Sequence, residues 1–413
     1  MPKTWAFLKN AGVSLIMRCQ RVSFCMKRRV SEFLMLFLFS WLFVHIFKFV
    51  LNKAALELKY YKELDGLRGM AALMVVFFHF IPDANIGIHP LIHYLHKITV
   101  FGQTGVTLFF VLSGFLITRI LLHVKTSEYY FRDFYIKRAL RIFPLYYLAL
   151  IIFYLLVPPL INSSKVSFQN TWMYWVYLQN VSETFGLNAR GPQHFWSLAV
   201  EEHFYLFWPI IVYYSSVSNL PRIITWIISS AFICRCLLLY FGYGTFYFTF
   251  SVMDALAVGG FLAWYEMQKP INKINFSLII ILGMMIMLPA WLITGGKRYN
   301  WVQIMKIPII SVFYMAIIGK IITSKSWLNA VFELKPLRFI GKISYGLYVF
   351  HPFCFTLYHY YFPGNNIWIN VLACFSISII TATISFYAFE MRFLKLKGHF
   401  ETVNWYKKTN PSI

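Results

Sequence analysis

Charge is what this sequence has least of. Only 13% of its 413 residues are Asp, Glu, Lys or Arg, about half the share of an ordinary soluble domain. So few charges cannot cover a water-facing surface. Carboxylates are the scarcer sign, 15 against 38 basic side chains. Disorder is excluded too, because disordered chains are polar and poor in aromatics, whereas this chain is 59% hydrophobic and 20% aromatic. The six cysteines (Cys19, Cys25, Cys234, Cys236, Cys354, Cys374) have neither metal-ligand nor redox spacing, and no disulfide framework follows from them. Cys234 and Cys236 fall in an apolar run and read as small buried residues. No carboxylate-and-His cluster has metal-ligand spacing, so no metal is expected. Internal repeats and low-complexity tracts are absent by eye.

What remains is a succession of apolar runs of about 20 residues, the length that crosses a bilayer as a helix. We expect an all-α, polytopic membrane bundle of about ten helices, near 64–82, 104–123, 140–159, 194–214, 222–241, 247–265, 275–294, 303–323, 338–360 and 367–390. Thr171 to Asn180 is too short to span and reads as a re-entrant or interfacial segment. With the N-terminus placed in the cytoplasm, inner segments hold twenty-five Lys and Arg and outer loops hold five. That asymmetry matches the positive-inside rule. It places both termini in the cytoplasm and accounts for the net charge of +23 without nucleic acid.

Residues 1–62 form a basic extension, 63–390 the membrane domain and 391–413 a basic tail. Phe33 to Val44 is apolar, with basic clusters on both sides. An interfacial helix fits it better than a span, because it keeps those charges among headgroups. A signal peptide fits less well, since no small-residue cleavage site follows. A start site misplaced upstream is the alternative reading of 1–62.

Charges inside a bilayer are costly and mark function by default. The first expected helix begins Leu64-Asp65-Gly66-Leu67-Arg68-Gly69. Asp65 reads as its N-cap, and Gly66 and Gly69 permit close approach of another backbone or a ligand. Arg68 and His79 are eleven residues apart, which is three turns plus about 20° and a rise of roughly 16 Å. Both therefore point the same way, an arrangement suited to an anion below and a proton acceptor above. Snorkelling of Arg68 to headgroups and an inter-helix hydrogen bond from His79 are the structural alternatives.

Five blocks, in order from about 63 to 390, resemble the acyltransferase family 3 of integral membrane acyltransferases. They are Glu63-Leu-Asp-Gly-Leu-Arg-Gly with His79, Gly105 to Thr118 around Ser113-Gly114, Arg138-Ala-Leu-Arg141-Ile-Phe-Pro144, His194-Phe-Trp196-Ser197-Leu-Ala-Val-Glu201-Glu202, and Ile343-Ser344-Tyr345 through Tyr348 to His351-Pro352. The resemblance implies transfer of an acyl group, commonly acetyl from acetyl-CoA, to a hydroxyl of a carbohydrate or related envelope molecule. Arg68 and His79 match the family's Arg-x10-His pair, and Arg138 and Arg141 match its Arg-x-x-Arg pair. One departure is clear. The family often has Arg two residues before the Asp of a later helix, and here that position, before Asp254, is Val252. Some members carry a C-terminal hydrolase-like domain, for which these 413 residues leave no room.

The physical reading runs parallel. An acyl-CoA donor is polyanionic, so Arg68, Arg138 and Arg141, with Lys137 and Arg132 nearby, are expected at its phosphates, and Ser113 is assigned to the donor site with them. Ordinary positive-inside topology explains Lys125 and Arg132 as well. His79 is expected as the general base that deprotonates the acceptor hydroxyl, with a covalent acyl-His as the second choice. Glu201 is expected to orient His79 or to hydrogen-bond the acceptor, with Glu202 the lesser of the two. His194, Trp196, Tyr345 and His351 are candidates for the acceptor path. Ser113-Gly114 lacks the glycine spacing of a nucleophile elbow and suits close helix packing. His203, His123 and Arg235 read as packing or anchoring residues.

The expectation is therefore an O-acyltransferase of the bacterial inner membrane. Acetyl-CoA or another acyl-CoA serves as donor substrate, and no cofactor is permanently bound. The acceptor is a surface polysaccharide or lipopolysaccharide, and the surroundings are membrane lipid. A transporter of such a glycan or its precursor is the alternative, although the paired halves common among transporters are not apparent. A purely structural subunit has no need of Arg68 and His79 on one helical face.

Overall fold

The computed structural model describes residues 58–80, 99–161, 168–268, 274–294, 300–363 and 366–400. Among them there are helices and turns but no strand. We number the main helices α1 (Glu63–Phe80), α2 (Thr104–His123), α3 (Tyr130–Ile151), α4 (Gln179–Phe185), α5 (Trp196–Tyr214), α6 (Leu220–Tyr240) and α7 (Thr249–Met267). They continue with α8 (Phe276–Thr294), α9 (Asn300–Thr323), α10 (Trp327–Phe332), α11 (Lys335–Lys342), α12 (Ser344–Tyr361) and α13 (Ile367–Ile384). The Phe33 to Val44 segment lies outside the described residues.

Every expected apolar run is helical, with informative differences at the edges. α3 starts at Tyr130 rather than near 140, because its first turns carry Arg132, Lys137 and Arg138 and escape a search for apolar runs. It continues through a π-helical turn (Ile152–Leu156) to Leu160. The expected 338–360 helix is broken at Ile343 into short α11 and long α12. α13 does not end near 390 but runs on through a π-helical turn (Ser385–Glu390) and the turns Met391–Leu396 and Lys397–Phe400. The stretch from Thr171 contains only a single helical turn, Trp172–Trp175, before α4. It is pinned inside, since Tyr146 donates to the Tyr174 carbonyl at 2.6 Å and Asn180 Nδ2 to Thr249 Oγ1 at 2.8 Å.

Among the described residues, five helices are long and apolar enough to cross a membrane: Phe101–His123, Tyr130–Leu160, Leu220–Tyr240, Ile304–Thr323 and Trp368–Phe400. Helices outside that group carry carboxylates within their apolar sequences. α1 carries Glu63, Asp65 and Arg68, α5 carries Glu201 and Glu202, and α7 carries Asp254 and Glu266.

α2 is the central element, packed against α1, α5, α7 and α9. Leu108, Phe115, Ile117 and Leu121 along it have no exposed surface. Its contact with α7 depends on two glycines. A Cβ on Gly114 would fall 1.9 Å from the Leu256 carbonyl oxygen, and one on Gly259 would fall 2.0 Å from that of Val111. The same device joins α1 to α11, where a Cβ on Gly69 would sit 2.1 Å from the Leu337 carbonyl oxygen. Small residues in facing helices let the backbones approach and the dispersion contacts close, the chief packing force where lipid is as apolar as the protein. The close approach expected at Gly69 and Gly114 is thus realised.

Gly114→Ala is therefore expected to destabilise the bundle by at least about 1–3 kcal/mol, the usual cost of overpacking. Gly244→Ala, where an added Cβ meets nothing within 4 Å, serves as its control. Thermal unfolding in detergent, followed by tryptophan fluorescence, should show a lower midpoint for the first variant only.

Candidate functional site

A cavity of about 420 Å³ opens between α1, α2, α3, α5 and α12. Helical periodicity builds it. Ser197, Glu201 and Tyr205 are spaced by four residues, so one face of α5 supplies all three to the wall. Arg138 and Arg141 stand three apart on one face of α3, and Tyr345 and Tyr348 do the same on α12. Of the residues expected from the sequence, Arg68, Ser113, Arg138, Arg141, Glu201 and Tyr345 line this cavity.

The cavity has a basic end and a hydroxyl-bearing end. At the basic end the Arg138 guanidinium lies 4.9 Å from the centre of the Tyr205 ring. Arg68 contacts Asp65 at 3.5 Å. Asp65 is not the N-cap expected of it, because α1 begins at Glu63. Its carboxylate instead accepts from Arg68 and from the Tyr60 hydroxyl. Burial, and then the neighbouring Asp65 carboxylate, push the Tyr60 phenol up to about 12, so it stays a donor at neutral pH. Midway along, Ser113 Oγ donates to Glu201 Oε1 at 2.9 Å and Tyr205 donates to Glu201 Oε2 at 3.0 Å. At the far end the hydroxyls of Ser197 and Tyr348 are 2.6 Å apart, and Tyr348 donates to the His194 carbonyl at 2.5 Å.

Just past Tyr348 three histidines meet. The ring centres of His79 and His351 are 5.0 Å apart, and His194 lies 5.4 Å from His351. His351 Nε2 and His79 Nδ1 are 2.9 Å apart, and His351 Nδ1 is 3.0 Å from the Leu347 carbonyl oxygen. A carbonyl oxygen only accepts, so His351 Nδ1 carries its proton. In the neutral ring His351 Nε2 is then the acceptor, and His79 Nδ1 must donate to it. This chain of deductions leaves the lone pair of neutral His79 on Nε2. His194 and His351 are buried, while His79 is half-buried.

Several expectations are corrected. The partner that orients His79 is His351, expected as an acceptor contact, and not Glu201, whose carboxylate is held by Ser113 and Tyr205. Trp196 does not line the cavity. It packs against Phe110, Phe246 and Tyr247, because it adjoins Ser197 in sequence and so points about 100° away around α5. Arg235, read as packing or anchoring, forms an ion pair with Asp254 at 2.8 Å, both side chains having at most 1% exposure. The cation that Val252 does not provide thus comes from α6, and Arg235 also donates to the Ser251 carbonyl.

Sequence reasoning missed a second pair, Arg119 with Glu266, at 2.5 Å. Tyr61 donates to the same carboxylate at 2.9 Å, and Arg119 Nη1 to the Lys59 carbonyl at 3.1 Å. The signal was present, as each residue is a lone charge near the end of an apolar helix. Which helices would meet was not readable.

The model of a family described as an acyltransferase domain matches residues 61–390. The O-acetyltransferase OatA of Staphylococcus aureus (strain NCTC 8325 / PS 47) is 28% identical over 335 residues, which are 74% of this chain and 53% of that protein. A second protein, from S. aureus strain COL and provisionally named an O-acetyltransferase, is 27% identical over 380 residues, 84% of this chain and 59% of its own length. The chain thus spans little more than half the length of these curated relatives. No solved structure matches.

Removing one member of a buried ion pair strands the other charge, at a cost of about 3–5 kcal/mol, whereas replacing both by apolar groups is often near neutral. Arg235→Leu should therefore lower the melting temperature sharply. Arg235→Leu combined with Asp254→Leu should recover most of the loss, and a double variant no better than the single one would show that the pair is not the cause.

Proposed function

The chain belongs to acyltransferase family 3, and from that premise we propose a membrane O-acyltransferase that moves acetyl from acetyl-CoA to a hydroxyl of a cell-envelope polysaccharide or lipopolysaccharide. The observation that carries the reading is the His79–His351 hydrogen bond beyond the hydroxyl-bearing end of a cavity whose other end is basic. The O-acetyltransferase names of the two staphylococcal relatives support the reaction type. The excess of basic residues in alternate loops supports a cytoplasmic basic end and a bacterial inner membrane.

In this mechanism the donor is a substrate that enters from the basic end. Arg138 and Arg141 hold its phosphates through forked hydrogen bonds, with Arg68 beside them. The pantetheine arm follows the α5 face past Glu201 and Ser113 and brings the thioester to Ser197 and Tyr348. The acceptor hydroxyl approaches His79 from the opposite side. His79 Nε2 takes the hydroxyl proton as the oxygen attacks the thioester carbonyl. In the resting site Ser197 donates to Tyr348 and Tyr348 to the His194 carbonyl, so the Ser197 hydroxyl must turn from Tyr348 to donate to the developing oxyanion. Collapse of the tetrahedral intermediate breaks the C–S bond and leaves an ester. The proton on His79 passes to the departing thiolate. His351 acts as a positioning residue by fixing the tautomer that leaves Nε2 basic.

The test is transfer of labelled acetyl from acetyl-CoA to an envelope glycan fraction by purified protein in lipid. His79→Ala should lose at least about 10²-fold in kcat, the ordinary contribution of a general base. His351→Gln should reduce kcat with little change in KM for acetyl-CoA. Full activity in His79→Ala would remove the assigned base, and movement of a glycan into vesicles without acyl transfer would favour a transporter.

A further inference from the structure

Lys397 lies past residue 390, where the family match ends, yet it lines the same cavity as the arginines. It arrives there because the helix runs on past α13 and packs along α3. The segments Ser385–Glu390, Met391–Leu396 and Lys397–Phe400 all pack on that helix. Lys397 is thereby set within electrostatic reach of Lys137, Arg138 and Arg141.

Lys397, Arg138 and Arg141 at one end of the cavity need an anion. Three carboxylates line the cavity: Asp65 is engaged by Arg68 and Tyr60 and Glu201 by Ser113 and Tyr205, which leaves Glu202, whose buried Oε1 accepts no hydrogen bond, as one negative charge against several cations. Glu390, on the same helical continuation, accepts from Ser385 Oγ at 3.0 Å. Among the described residues, neither Lys397 nor Arg138 nor Arg141 forms an ion pair with a carboxylate. A ligand carrying several negative charges would neutralise this end, and one compact charge would not.

We propose that Lys397 is a further donor-binding residue. With Arg138 and Arg141 it contacts the phosphate groups of the acyl donor, so the segment after the last long helix completes the donor site. Its ammonium is a mobile point charge, complementary to the fixed forks of the two arginines. This inference rests on the acyl-CoA reading above and adds that a residue outside the matched region sets selectivity for a phosphorylated donor.

Two donors separate the possibilities: acetyl-CoA, and S-acetylpantetheine, which has the same thioester arm and no phosphate. Full-length protein in lipid is compared with Lys397→Gln and Lys397→Arg. The glutamine variant should raise KM for acetyl-CoA about tenfold, the loss of one charge-assisted contact, with kcat retained. Its kinetics with S-acetylpantetheine should match those of the unaltered protein, and the arginine variant should keep most of the affinity for acetyl-CoA. An unchanged KM for acetyl-CoA in Lys397→Gln would overturn the inference. So would an equal loss with both donors, which marks a structural role. Should the glutamine variant fail to insert, Lys397→Met, which keeps most of the aliphatic stem, takes its place under the same criteria. Failure of the unaltered protein to use acetyl-CoA, while it accepts S-acetylpantetheine, would overturn the acyl-CoA reading and this inference together.

Discussion

A charged side chain within an apolar bundle must be paired, hydrogen-bonded or turned toward a polar space, and the rest of this structure is arranged around that requirement. Arg235 and Asp254 satisfy it by pairing across α6 and α7, Arg119 and Glu266 by pairing across α2 and α7. Glu201 satisfies it through two hydroxyl donors. Arg138 and Arg141 of α3 satisfy it by facing the cavity. The paired charges are structural, each held by a partner from the same protein. Arg138 and Arg141 form no such pair among the described residues, and that is the observation behind the phosphate contacts proposed for them.

Glycine contacts make this distribution possible. Where α2 meets α7 and α1 meets α11, backbones touch through Gly114, Gly259 and Gly69. Those helices close tightly on one side of α2. The cavity opens where α1 and α2 face α3, α5 and α12 instead.

Much of this was legible in the sequence, and the pattern of what was not is physical. Apolar runs located the helices because bilayer thickness and helical rise fix their length. The 3.6-residue period placed Arg68 and His79 on one face of α1, and the structure puts one at the basic end and the other beyond the hydroxyl-bearing end. The same period, applied to neighbours, should have separated Trp196 from Ser197. Partners on different helices were illegible. Nothing in the spacing of Arg235 and Asp254, or of His79 and His351, says that they meet, because that depends on helix order in space. The basic first turns of α3 and the continuation of the last helix to Lys397 were hidden for a simpler reason, since a search for apolar stretches stops where charge begins.

The pairing of His79 with a second histidine, rather than a carboxylate, bears on the chemistry this site can support. A carboxylate hydrogen-bonded to the imidazole would stabilise the imidazolium that forms as a proton is taken, but in an apolar bundle it would first have to be desolvated. A neutral imidazole avoids that cost and still fixes the tautomer through one directional bond. His351 is itself held by a backbone carbonyl of its own helix, so the orientation of the base is anchored to the fold without any buried charge. The base gains orientation but little electrostatic assistance, and a reaction run this way needs an acyl group that is already activated. A thioester is such a donor, with a better leaving group than an ester or an amide, and the basic end of the cavity suits the polyanionic thioester of CoA. In the proposed mechanism an acyl-CoA thus meets both demands, an activated acyl group at the histidines and phosphates at the basic end.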